Sequence, residues 1–423
     1  MISSSIAGPT RRADSAGFEH LERLISPMSA LGFVSEYWEQ SPLLVHRDRR
    51  DFFLGLLAWS MEEVVESACQ AGRGTVELLR AGKPNQPVLA GPHEAFRAHS
   101  GGYTIRVNAI QHIVPPLRIF TAALETELSA LVNVNLYYSP PHAQAIAIHH
   151  DVSETLIAQV LGSKRWRVCE CDVVSPLGYV PPLRFENPTA ARARAPEQGR
   201  HAHPPADAAI IDRVLERGDT LYIPRGFRHE ANTAGEESAH LTFAINTLSC
   251  AEILTMAVSE AAARYPELRR SAPLGFARCE YGQGEEPREL KAAGELLRTK
   301  MDIVGALNAA ADAFLASRRQ PPGSAPRIAH APIKIETRLS HCAGAFCRFS
   351  LADGFARLSF SGLMIEGPMS SQEALRFVAT HATFCVGDLP AEGERARVAL
   401  ATRLVDAGLL EVLPDQYREE PGS

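Results

Sequence analysis

The chain has 423 residues, 45% of them hydrophobic and 22% charged. These are the proportions of an ordinary globular protein with room for about two to four domains. They exclude a mostly disordered or collagen-like chain, and no apolar run approaches the roughly 18 residues needed to cross a bilayer. The net charge of −6, from 43 Lys and Arg against 49 Asp and Glu, argues against a non-specific nucleic-acid binder. Met1–Ser15 carries no apolar core of a secretory signal. The eight cysteines include no C-x-x-C pair, so neither a zinc ribbon nor a thioredoxin motif is present. Reduced thiols in a cytoplasmic protein are the expectation.

In chain order, residues 1–16 read as a flexible arm. Phe18, Leu21, Leu24 and Ile25 recur at helical spacing, and Leu43-Leu44-Val45 follows Pro42 as a short strand. Met61–Ala71 is a predicted helix with Ser60 as N-cap and Glu63 in the capping-box position. Strands follow at Val76–Leu79, Tyr103–Val107, Val132–Tyr138 and Thr155–Val160, with a helix over Pro116–Leu131. Arg165–Cys171, Thr220–Ile223 and His240–Asn246 complete the β-rich half. In the last of these, Leu241, Phe243 and Ile245 alternate onto one side. Short strands separated by Gly/Pro turns predict an antiparallel double-sheet barrel of the jelly-roll or cupin type, spanning 17–249. Residues 186–209, rich in Ala, Arg, Pro and His, read as an inserted loop.

After residue 250 the composition turns helical. Residues 250–319 carry an apolar stripe of Leu290, Ala293, Leu296, Leu297 and Met301, which fits an internal core or a dimer seam. Gln320–Pro326 is a linker by composition. Residues 327–423 mix short strands with helices at 372–381 and 395–407, the order of a small winged helix. From residue 324 onward, ten Lys and Arg face twelve Asp and Glu, so partner binding is favoured there over DNA reading.

The chemistry concentrates in Ala147-Ile-His149-His150-Asp151. On a strand, residues two apart share a face, so His149 and Asp151 could bind one metal, in preference to His150. Gly218-Asp-Thr-Leu-Tyr-Ile-Pro-Arg-Gly-Phe-Arg-His229 reads as a strand ending in a Pro/Gly turn that presents His229. Two His and one carboxylate form the facial triad that leaves three octahedral positions open, which suits non-haem Fe(II). Alone, a His-x-Asp among fifteen His would be an ordinary coincidence; the second motif makes the metal reading the stronger one. In Gln159-Val-Leu-Gly162-Ser-Lys164-Arg165-Trp166, Lys164 is either a solvated hairpin lysine or the cationic partner of a carboxylate in the barrel. Asn135 could donate an amide hydrogen bond to the same carboxylate.

Together these residues resemble the JmjC 2-oxoglutarate oxygenases, and among them the ribosomal-oxygenase branch of protein hydroxylases. Phe33-Val-Ser-Glu-Tyr-Trp38-Glu-Gln-Ser-Pro42, Asn135-Leu-Tyr137-Tyr-Ser-Pro140, the Gln159–Trp166 segment and Leu221–His229 are similar to that branch's signatures. The resemblance implies a JmjC barrel with a helical dimerisation segment and a C-terminal winged helix. It implies His149, Asp151 and His229 as Fe(II) ligands and Lys164 and Asn135 as holders of the distal carboxylate of 2-oxoglutarate. Thr242 would stand on the pocket wall and Tyr137 near the substrate. With O2, such an enzyme converts 2-oxoglutarate to succinate and CO2 while hydroxylating a side chain of a protein or peptide such as a ribosomal protein. Lysine at 164 with Asn135 looks more like the histidyl than the arginyl hydroxylases. A homodimer is implied as well. The competing readings are a same-fold oxygenase of methyl-lysine, a small metabolite or a natural-product peptide, and a catalytically silent scaffold.

Overall fold

A computed structural model describes residues 17–72, 75–171, 173–177, 209–278, 286–318, 332–342, 345–352, 354–360 and 362–413. The arm at 1–16, the linker at 320–326 and the inserted loop, Ala209 excepted, lie outside these residues. The chain divides into two compact units, 1–247 and 248–423.

The first unit holds α1 (Glu19–Ile25), α2 (Ala30–Glu36), β1 (Leu43–Val45), α3 (Met61–Ala71), β2 (Val76–Leu79), β3 (Gln86–Pro87), α4 (Pro92–Ser100), β4 (Thr104–Val107), α5 (Pro115–Leu128), β5 (Leu131–Ser139), β6 (Glu154–Leu161), β7 (Lys164–Cys171), β8 (Ala209–Leu215), β9 (Thr220–Ile223), β10 (Phe227–Asn232) and β11 (Ser238–Asn246). Eight strands form one sheet in the order β1-β9-β6-β11-β5-β4-β2-β3, and β10-β7-β8 form a second. The architecture is the cupin type expected from the strand spacing.

Local chemistry accounts for several boundaries. Ser60 and Glu63 close the predicted capping box on α3, satisfying two end N–H groups. The helix expected to reach Leu131 stops at Leu128, because Ser129 turns left-handed (φ 49°) and directs its N–H back to Glu125 and Thr126. Leu131 then begins β5, whose sequence Leu-Val-Asn-Val-Asn-Leu-Tyr-Tyr-Ser alternates in burial. Val132, Val134, Leu136 and Tyr138 join Phe243, Ile245 and the helical residues Leu117, Phe120 and Leu124 in the larger core, outside the barrel. A smaller core of Ile157, Leu221 and Ile223 from one sheet and Trp166, Val168 and Leu215 from the other fills the space between the sheets. Each such burial contributes roughly 1.5–3 kcal/mol.

The hairpin β6–β7 turns at Gly162-Ser163. Gly162 has φ +56°, and a Cβ there would lie 2.0 Å from the Glu237 carbonyl oxygen, so only glycine fits. The turn delivers Lys164 into β7 with its side chain buried, not out in solvent.

The second unit holds α6 (Cys250–Arg264), α7 (Arg288–Lys300), α8 (Ile303–Ser317), β12 (Arg338–His341), β13 (Cys347–Ala352), β14 (Phe355–Phe360), β15 (Leu363–Pro368), α9 (Gln372–Thr380), β16 (Thr383–Cys385), α10 (Gly393–Asp406) and β17 (Leu410–Val412). Its strands form two three-stranded sheets, β16-β12-β17 and β13-β14-β15. No helix among the described residues is long and apolar enough to cross a membrane.

Candidate active site

The strand expected beneath His149 and Asp151 is not there. Residues 149–151 lie in the segment between β5 and β6, with His149 in a single antiparallel bridge to His229. The bridge is a reciprocal pair of backbone bonds, His149 N to His229 O at 3.1 Å and His229 N to His149 O at 2.7 Å. Asp151 is tied separately, its carbonyl accepting from Gly226 N at 2.9 Å. Cross-segment pairing, not strand alternation, therefore brings the two side chains together. His229 lies in β10, three residues past Gly226 and opposite Val168 of β7.

The three side chains converge. One ligand atom from each of His149, Asp151 and His229 lies within 4.8 Å of the others. The Nε2 atoms of His149 and His229 stand 3.8 and 3.6 Å from the Asp151 carboxylate oxygens. Each ring is oriented from behind. His149 Nδ1 lies 2.9 Å from Ala147 O, and His229 Nδ1 lies 3.1 Å from Phe227 O. A carbonyl can only accept, so each Nδ1 carries the proton and each Nε2 presents its lone pair, the arrangement that readies a His for a metal. Burial, reinforced by neighbouring His149, pushes His229 down to about 4, so it stays neutral near pH 7. His150 is outside this cluster.

Deeper in the barrel, register defines a polar wall. Thr155 Oγ1 lies 3.4 Å from Asp151 Oδ2, and Thr155 pairs with Ala244, which pairs with Asn133. Next come Ile157, Thr242 and Asn135, then Gln159, His240 and Tyr137, and last Ser238 with Ser139. Asn135 Oδ1 accepts from Ala109 N at 3.0 Å and from Asn133 Nδ2 at 3.0 Å, which leaves its own amide protons to donate. Tyr137 stacks on His240, with ring centroids 5.0 Å apart and 7° between planes. Its phenol takes a hydrogen bond from Arg106, and burial holds its pKa above the usual value.

Lys164 is 2% exposed, and its Nζ donates to Ser139 Oγ at 2.9 Å. Thr104 Oγ1 meets the same Ser139 Oγ at 2.9 Å. Burial alone lowers the lysine to about 7, so no carboxylate among the described residues compensates its charge. Around it, His240 Nδ1, Trp166 Nε1 and Gln159 Oε1 are buried with no hydrogen-bond partner among the described residues. A buried cation beside an unsatisfied donor, the Trp166 indole N–H, fits an anionic ligand. Asn135 is four residues from Ser139 along β5, about 13 Å of strand. Asn135 sits one step in from the level of Asp151, whereas Lys164 bonds Ser139 at the far end.

Sequence reasoning did not single out Arg106, Ser139 or His240. The signal for two of them was present. Asn133, Asn135, Tyr137 and Ser139 fall on alternate positions of β5, and His240 precedes Thr242 by two on β11, so each set shares the interior face.

Residues 110–253 match the JmjC domain family. The chain carries a JmjC domain. It is homologous to ribosomal oxygenase 1 and to NO66. Identity is 31% over 267 residues with the bifunctional lysine-specific demethylase and histidyl-hydroxylase NO66 of Drosophila grimshawi, covering 60% of this chain and 35% of that protein. With human ribosomal oxygenase 1 it is 27% over 448 residues, 92% of this chain and 66% of that one. The chain thus spans well under half the length of several curated NO66 relatives, 38% of the Drosophila erecta protein for instance. The JmjC-domain chain is also similar in fold to the ribosomal oxygenase YcfD of Escherichia coli, solved with cobalt and 2-oxoglutarate. The TM-score is 0.54 at 19% identity, over 91% of this chain and 98% of that one. A second YcfD structure gives a TM-score of 0.56 at 17% identity, with the same coverage.

Proposed function

We infer that this protein is an Fe(II)- and 2-oxoglutarate-dependent oxygenase that hydroxylates a side chain of a protein or peptide, histidine in first place and arginine in second. The observation that carries the reading is the pairing of a convergent His149–Asp151–His229 cluster with a buried, uncompensated Lys164 in the same barrel. A silent scaffold needs neither. Metal and 2-oxoglutarate, when bound, supply the O2-consuming chemistry that inserts oxygen into a C–H bond and leaves succinate and CO2. The chain's own residues do the rest. His149, Asp151 and His229 hold the metal on one side and leave its other positions open. Lys164 and Ser139, with the donor atoms of His240 and Trp166 nearby, grip the distal carboxylate. Asn135 and Thr242 face the part of the co-substrate nearer the metal. Tyr137 walls the pocket between the two ends.

Ribosomal-protein substrates are favoured by the names of the human and E. coli relatives. The demethylase activity named for the NO66 relatives keeps N-methyl-lysine as a second reading. The barrel domain is assigned to 17–249, a helical dimerisation region to 250–319 and a winged-helix-like domain to 327–423. Support for a homodimer comes from α7, none of whose residues is fully buried, and from Val304 and Leu307 of α8, 70% and 55% exposed.

The test is anaerobic loading with Fe(II), then 2-oxoglutarate and O2, wild type beside His229→Ala. Succinate from wild type alone supports the reading. With ribosomal-protein peptides, a gain of one oxygen indicates hydroxylation and released formaldehyde indicates demethylation. A folded wild type that binds neither metal nor 2-oxoglutarate refutes both.

A further inference from the structure

The two segments that carry the candidate metal ligands are joined at a third place, away from the ligand atoms. Glu154, three residues beyond Asp151, is fully buried. It accepts a hydrogen bond from the Tyr222 hydroxyl. Its other oxygen lies 3.4 Å from Arg225 Nη1. Arg225 precedes by one residue the Gly226 that bonds Asp151 and by four the His229 ligand. The second Arg225 nitrogen, Nη2, forms an ion pair of 2.7 Å with Glu39, and Nη1 also donates to Thr247 Oγ1 at 3.3 Å. Glu39 is held in turn, since its backbone N–H donates to the Tyr222 hydroxyl at 2.9 Å. Trp38 stacks on Tyr222 with centroids 5.9 Å apart and 9° between planes. Phe33 meets the same ring edge-on at 4.8 Å.

Glu39 has φ 58°, a left-handed backbone conformation that costs any residue other than glycine and persists only where the surroundings enforce it. Here three contacts do so: its N–H on Tyr222, its carboxylate on Arg225 and the stacked Trp38 beside it. The Phe33–Pro42 segment therefore reaches the site, although it supplies no ligand.

We propose that Glu39, Arg225 and Glu154 form a positioning clamp that sets the distance between the 149–151 and 226–229 ligand segments, so that the N-terminal segment tunes how the site holds a divalent metal. An arginine is required because its planar fork can face two carboxylates at once, whereas a lysine ammonium offers a single point charge. None of the three residues supplies an atom of the convergent ligand cluster, so their effect is through geometry. The proposal rests on the metal-binding reading above.

The test uses the full chain, with Glu39→Gln and Arg225→Met as breaking variants and Arg225→Lys as the conservative one. Co(II) is titrated in and followed by its visible absorption, and amide hydrogen exchange is measured on the metal-free protein. The expectation is a Co(II) affinity about 10–100-fold weaker in the breaking variants, with an altered Co(II) band shape and at least about tenfold faster exchange at 226–229. Arg225→Lys should fall between these variants and wild type, and exchange in 332–413 should not change. Wild-type affinity, band shape and exchange in both Glu39→Gln and Arg225→Met would overturn the proposal. If wild type itself takes up no Co(II), the metal reading falls, and the exchange decides the clamp alone: unchanged rates at 226–229 overturn it and raised rates sustain it.

Discussion

Lys164 Nζ donates to Ser139 Oγ across 2.9 Å in a setting where the lysine is 2% exposed. A hydroxyl cannot neutralise an ammonium, and burial brings this one down to about 7 from 10.5. Between pH 7 and 10.5 the unfolded chain binds a proton at this lysine that the folded chain does not. The ligand-free protein should therefore gain stability as pH rises through that window and lose it as pH falls toward 7. Thermal melts of wild type against Lys164→Met across pH 7–10 check this: only wild type should show the rise.

Binding of 2-oxoglutarate should reverse the shift, because a carboxylate beside Lys164 favours its charged form. At pH 8 the complex should take up a proton. Calorimetric titrations in buffers of different ionisation enthalpy read this directly, and affinity should fall as pH climbs above 7. Identical heats in all buffers would remove Lys164 as the carboxylate partner.

Lys164→Met should separate folding from binding. It removes a buried charge that no carboxylate among the described residues compensates, so the ligand-free protein should be more stable at pH 6 by about 1–3 kcal/mol. The same variant should lose 2-oxoglutarate binding while keeping Co(II) binding, since Lys164 is not among the convergent ligands. A destabilised variant, or one that still binds 2-oxoglutarate normally, would contradict this placement.

Gly162→Ala should be costly despite its small size. The left-handed φ of +56° and a Cβ position 2.0 Å from Glu237 O combine strain of about 1–3 kcal/mol with a backbone clash. A lower melting temperature and weaker 2-oxoglutarate binding are expected together, because this turn aims Lys164. Unchanged melting would show that the hairpin can relax.

The helical faces left open in the second unit predict self-association. Light scattering should give twice the mass of one chain, and Val304→Arg with Leu307→Arg should return the mass to that of a single chain. The change in mass should leave melting of the barrel unit unaltered. A wild-type mass equal to one chain would withdraw the dimer.

Much of the barrel was legible because its signals are local. The capping box of Ser60 and Glu63 and the alternation of Leu241, Phe243 and Ile245 each depend on residues within one element. The C-terminal overrun of α5 came from Ser129, whose left-handed turn no propensity marks. The expected strand under His149 and Asp151 came from applying strand alternation to a segment whose geometry is set by a bridge to His229, eighty residues onward.

By itself the sequence determined which residue types stand ready: two histidines and an aspartate in two recognisable motifs, a lysine after a glycine turn, and an alternating polar face on β5. Identity and short-range period are written in neighbouring residues. Only the tertiary structure decided that Lys164 is buried against Ser139, that Asn135 lies toward the metal end, and that Glu39 reaches Arg225. The last of these depends on contacts such as Glu39 with Tyr222, separated by 183 positions, and Tyr222 with Glu154, separated by 68. Such pairings are chosen by how whole sheets and helices bury their apolar faces, a balance over the entire unit that no local pattern records.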